Sequence, residues 1–81
     1  MTISAKIKAL LAVSSKEHAQ LAQSLGISKQ ALSNKFYRDS FSGEDLIKIA
    51  TFVNCTLAFI INGTQISLDK DDIASPDGTK I

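Results

Sequence analysis

Large apolar residues recur at helical spacing through the first two thirds of the chain, then switch to strand-like alternation. Ile3, Ile7, Leu10 and Leu11 predict a first helix over residues 2–13, with Lys6 and Lys8 directed away from the core. Leu21, Ala22 and Leu25 form the inner face of a second helix, and Ser14 with Glu17 three residues on reads as its capping box. A third helix is expected from Lys29 to about Tyr37. After the loop Arg38-Asp-Ser-Phe41, Ser42 as cap and Asp45 at the third position start a fourth. Phe41 and Leu46 are spaced to staple that helix. Its inner stripe is Leu46, Ile49, Ala50 and Val53, and Asn54 tolerates the left-handed conformation at its end.

Beyond Asn54, Thr56-Leu-Ala-Phe-Ile-Ile61 and Thr64-Gln-Ile-Ser-Leu68 flank Asn62-Gly63, a strong hairpin signal. A two-residue turn pairs Ile61 with Thr64, Phe59 with Ile66 and Leu57 with Leu68. One face then carries these large apolar pairs, and the other carries Ala58, Ile60, Gln65 and Ser67. An isolated hairpin is marginal in water, so it must lie on the helices or offer its free edge to a second chain. Residues 69–81 read as a short, acidic, flexible tail, with Thr79-Lys-Ile81 as a possible short strand.

The run from Glu17 to Tyr37 is the most informative stretch, because its small, turn and apolar residues fall where two helices crossing through a tight turn need them. Counting from His18, the fifth position is Ala22, where close helix crossing admits only a small side chain. The ninth is Gly26, which can take the left-handed backbone that redirects the chain. Ile27 plugs the core, and Ser28 is placed to cap the next helix, with Ile27 and Leu32 as a staple. Leu32, at the fifteenth position, must be buried. This geometry delivers a helix to DNA.

Composition narrows the picture. Eighty-one residues suffice for one small domain, which buries only about 60% of its unfolded surface. The net charge of +1 hides a basic body and an acidic end: Lys70 and Lys80 face Asp69, Asp71, Asp72 and Asp77. No acid occurs between Ser28 and Arg38. The apolar run from Leu57 to Ile61 is far short of the roughly 20 residues of a membrane helix. The start has no signal-peptide core, so a cytoplasmic protein with no membrane association is expected. Cys55, the lone cysteine, reads as a buried thiol in a reducing compartment. With one histidine and one cysteine, neither a nucleophile–base pair nor a two-ligand metal site is expected. Asp69-Lys-Asp-Asp72 lacks the glycine and glutamate of a calcium loop. The expectation is a non-enzyme with no catalytic residues, no metal, no cofactor and no small-molecule ligand.

With these elements in place, residues 2–57 resemble the lambda-repressor-like, or Xre/Cro-type, helix-turn-helix family. The likeness rests on Ile7 and Leu10, Leu21-Ala22, Leu25-Gly26-Ile27-Ser28, Leu32-Ser33, and Leu46, Ile49, Ala50, Val53 and Leu57. It implies a DNA-binding regulator, commonly homodimeric and often of phage or mobile-element origin. Three departures stand out. The family usually has Gln where this chain has His18, and often an Arg–Glu pair where it has Leu11 and Phe36, which would pack hydrophobically instead. The hairpin stands in place of the fifth helix, a frequent dimer surface. The expected fold is therefore mainly α: a four-helix lambda-repressor-like helix-turn-helix domain with its C-terminal β-hairpin over residues 1–68, then the acidic tail 69–81.

On that fold, the solvent-directed residues at the start of helix three are Lys29, Gln30, Ser33 and Asn34, expected to contact base edges. Gln30 suits adenine, Lys29 suits guanine O6 and N7, and Ser33 and Asn34 suit a base or a phosphate. Expected phosphate contacts are His18, Ser28, Lys35, Tyr37 and Arg38, with the free N–H groups at the start of helix two. Phe36, Phe41, Phe52 and Phe59 are expected in the core. The function expected is a sequence-specific, homodimeric repressor of double-stranded DNA, with the hairpin 56–68 as dimer contact. The alternative is a protein-interaction module on the same scaffold, such as an antirepressor or antitoxin-like subunit.

Overall fold

The computed structural model describes residues 2–73; the expected strand at Thr79–Ile81 lies outside them. Four helices, α1 (Ile3–Val13), α2 (His18–Leu25), α3 (Lys29–Arg38) and α4 (Gly43–Phe52), precede an antiparallel hairpin of β1 (Leu57–Ile61) and β2 (Thr64–Leu68). Each helix start has a local cause. Thr2 accepts from the Ala5 N–H at 3.0 Å. Ser42 and Asp45 form a reciprocal capping box, each side chain accepting the other's backbone N–H at 3.0 Å.

Helix two starts later than expected. The Ser14 hydroxyl turns back to donate to the Leu10 carbonyl at 2.8 Å, which closes α1 instead of opening α2. Ser15 then takes a left-handed φ of 57°, and Glu17 becomes the cap, its N–H donating to Gln20 Oε1 at 2.8 Å.

The core is Ile7, Leu11, Leu21, Ala22, Leu32 and Ile49, with Leu10, Leu25, Ile27, Phe36, Phe41, Leu46, Phe52 and Val53 packed around it. Leu11 lies inside and Phe36 packs on the same cluster, so apolar packing stands where the helix-turn-helix family that the sequence resembles often carries an ion pair. Ile47 is also buried, on a second side of α4. A 3-10 turn, Lys70–Asp72, sits against that side, so the acidic tail begins with ordered chain.

The hairpin has the expected register, Leu57 with Leu68, Phe59 with Ile66 and Ile61 with Thr64. Asn62 and Gly63 both have positive φ, 49° and 78°, as a two-residue turn matched to strand twist requires. Two expectations fail here. Phe59 is 66% exposed rather than in the core, because the hairpin touches the helices only near its base and projects its tip into solvent. Cys55 is exposed rather than buried, since it lies in the connector after α4, held by its N–H donating to the Ala50 carbonyl at 2.9 Å.

Candidate nucleic-acid interface

Gly26, with φ 71°, ends α2 in the left-handed conformation, and the Ile27 N–H returns to the Ala22 carbonyl at 3.0 Å. Ser28 Oγ then accepts from the Ala31 N–H at 3.0 Å and starts α3. That hydroxyl keeps its own proton to donate. Leu32, 2% exposed, fixes the rotation of α3 about its axis. The solvent side of the helix presents Lys29, Gln30, Ser33 and Asn34, all exposed, with Tyr37 one turn further on at 91% exposure.

Within that face Gln30 Nε2 donates to Asn34 Oδ1 at 3.3 Å. One Nε2 hydrogen and the carbonyl oxygen of Gln30 remain unengaged by that bond, which is the pair of groups a bidentate contact to adenine uses.

His18, at the start of α2, stacks on Phe36 with ring centroids 5.0 Å apart and planes 17° apart. Phe41 meets the Phe36 ring edge-on at 5.2 Å. Lys8 Nζ lies 5.4 Å from the centroid of the same ring. Two adjoining clefts result, one lined by His18, Ala19, Lys29, Leu32 and Ser33, the other by Lys8, His18, Ser33, Phe36 and Tyr37. Lys8 is the member of this surface that sequence reasoning missed. Its helical spacing pointed away from the core, but only the packing of α1 against α3 says toward what.

The remaining expected phosphate contacts divide. Arg38 is exposed and, like Lys29, makes no ion pair among the described residues. Lys35 is instead turned toward α4, its Nζ 2.9 Å from Asp45 Oδ2, with both side chains largely shielded. Burial pushes the Asp45 carboxyl up, but the Ser42 N–H and the Lys35 ammonium outweigh it and hold it below the usual carboxylate range.

The far end of α3 is anchored separately. Asp39, left-handed with φ 55°, accepts the Ser4 N–H at 2.6 Å, and the Ser4 hydroxyl donates to the Phe36 carbonyl at 2.9 Å. The hydrogen bonding from Ser4 holds the Asp39 carboxyl below its ordinary value. An acid beside Arg38 is thereby occupied with the first turn of α1.

No group of His, Cys, Asp and Glu among the described residues is arranged to hold a metal ion. No helix there is long and apolar enough to cross a membrane.

This arrangement of a capped helix, tight turn and exposed polar helix face agrees with the comparison to protein families, in which the bacteriophage CI repressor helix-turn-helix domain matches residues 6–68. The chain belongs to that family. No curated protein and no solved structure is significantly similar to it. The match runs from within α1 through the end of β2, so the hairpin is part of the family domain and not an appendage to it. Membership makes the chain a DNA-binding regulator of the repressor type.

Proposed function

We propose that this CI-type domain binds double-stranded DNA as a homodimer in the cytoplasm, reads the major groove with α3, and represses transcription without catalysis or a cofactor. The observation that carries the reading is the exposed, acid-free face of Lys29, Gln30, Ser33 and Asn34, set on a helix whose rotation is fixed by buried Leu32. Lys29 and Gln30 supply base discrimination. Ser28, His18, Tyr37 and Arg38 ring that face with donors for phosphates, and Lys35 joins them once it leaves Asp45. Two copies on half-sites about 34–36 Å apart would supply the specificity that one helix lacks. The hairpin 56–68 provides the contact between them.

Selection of bound sequences from a randomised duplex pool tests the reading. An enriched inverted repeat is expected. Lys29→Ala and Gln30→Ala should each relax one base position per half-site and cost about 1–3 kcal/mol on the selected site. No enrichment by folded protein, or binding insensitive to salt, would sink the proposal.

A further inference from the structure

The most apolar groove outside the reading face, of about 260 Å³, lies between α1, α4 and the start of β1. Ile3, Leu10, Leu46, Cys55 and Leu57 are among its lining residues, with Lys6 at hand as a charged side chain. Leu57 belongs to the hairpin face that also bears Phe59, Ile61 and Ile66, because side chains alternate along each strand. The groove and that face are therefore one continuous apolar surface, concave at the helices and projecting at the tip. Phe59, Ile61 and Ile66 are 66, 62 and 57% exposed, and Ile3 is 44% exposed.

We propose that each protomer's groove receives the Phe59–Ile61–Ile66 face of a second copy's hairpin, in a reciprocal two-fold exchange. The inference rests on the homodimer reading above and specifies its contact.

Three observations select this occupant. No charged residue occurs between Lys48 and Asp69, so the hairpin can meet its own copy with no like charges opposed. Projection and hollow are on the same molecule, which is what a closed isologous pair needs. Chain growth at the sheet edge would leave Phe59, Ile61 and Ile66 in water, because edge pairing extends the sheet sideways and covers neither face. The opposite face offers Ile60 alone among large apolar residues.

At about 150–250 Å² for a large ring and somewhat less for Ile, the three exposed side chains present roughly 300 Å² per protomer. With the groove walls they meet, the exchange buries on the order of 800 Å² in total, the size of a weak, transient contact. The dimer should accordingly form at micromolar concentration or above and be reinforced when two half-sites hold both copies.

Cys55, exposed and lining the groove, is a native reporter. The test measures the rate of Cys55 alkylation by a maleimide alongside sedimentation equilibrium, from low micromolar to millimolar protein. Cys55 should react roughly tenfold more slowly once nine-tenths of the chain is dimeric, since only free monomer exposes it. Phe59→Ser on the projection and Ile3→Ser on the groove rim should each abolish dimer and protection together, while Ile60→Ser changes both less than about twofold. Far-UV circular dichroism and the unfolding midpoint check that each variant keeps its helices.

A dimer whose Cys55 reacts as fast as the monomer's would overturn the groove contact and leave the homodimer reading standing. Absence of dimer at every concentration, with Cys55 fully reactive, would remove both. Protection independent of concentration would place the chain's own tail in the groove. Loss of the dimer with Ile60→Ser but not Phe59→Ser would assign the wrong face. Each of these last two results also overturns the proposal.

Discussion

The helical body and the hairpin are built from the same kinds of apolar residue and end in opposite states. In the body, Leu11, Leu21, Leu32 and Ile49 are 0–2% exposed, and no buried side-chain polar atom among the described residues lacks a partner. In the hairpin, Phe59, Ile60, Ile61 and Ile66 are all more than half exposed. Hydrogen bonding does not explain the difference, since both regions satisfy their local ladders and caps. It lies in the number of layers. Helices stacked on helices close a core inside one chain, whereas a two-stranded sheet has two faces and nothing of its own to put against them. The body closes its core within one chain, and the hairpin leaves its large apolar side chains in solvent.

The strongest way to break this contrast is to cut into each region equally. Leu21→Ala should cost about 2–5 kcal/mol in urea unfolding of the monomer, because the cavity cannot collapse at a site packed on all sides. Phe59→Ser, measured at concentrations where the chain is monomeric, should leave that unfolding free energy unchanged. Equal losses would show the hairpin to be part of the core.

A smaller contrast lies in the turns. An added Cβ at Gly26 or Gly63 meets nothing within 4 Å, so substitution tests backbone conformation alone. Gly26→Ala should destabilise the body by about 1–2 kcal/mol, the cost of a left-handed L-residue. Gly63→Ala carries the same strain but should appear only as weakened self-association.

Acid should act on the body alone. Asp39 and Asp45 both have carboxyls lowered in the folded state. Their stabilisation is therefore complete above the unfolded value of about 3.9 and is lost as pH falls through the lower folded values. Thermal unfolding followed below about pH 4 should show this decline, and Asp39→Asn combined with Asp45→Asn should flatten it. No titratable group lies between Lys48 and Asp69 other than the Cys55 thiol, so the hairpin is indifferent over that range.

The smallest effect concerns the reading face. Asp45→Asn releases Lys35 from its ion pair while leaving a side-chain oxygen for the Ser42 N–H. DNA binding should then tighten, since the pair no longer has to break before Lys35 reaches a phosphate. Lys35→Ala should make the log–log salt slope shallower by about 0.9, the contribution of one phosphate contact. An unchanged slope would mean that Lys35 never reaches the DNA.

What could be read from the sequence follows the same division. Ala22, Gly26, Ile27, Ser28 and Leu32 announced the turn because each position there has a steric or conformational requirement that few residues meet. Asn62-Gly63 announced the hairpin register for the same reason. The start of α2 is not legible locally, because Ser14 can cap forward or bond backward and only the left-handed Ser15 settles the direction. Hydrophobicity points Phe59 and Cys55 to the interior, but it reports a preference for burial and not whether a covering layer exists. Ile47 was missed on α4 because a 3-10 turn distant in sequence covers it. Likewise, neither the commitment of Lys35 to Asp45 nor the place of Lys8 over Phe36 has a local signal. Both depend on how helices far apart in sequence are brought side by side.

The hydrogen bond from Gln30 to Asn34 bears on how such a domain acquires a new binding site. With the two amides joined, the face presents them as one recognition unit under the proposed reading mode. Changing either position alone frees the other amide to reorient in water, so the base preferences at positions 30 and 34 should be coupled under that mode. Libraries that vary both positions together would measure that coupling, which single changes cannot show.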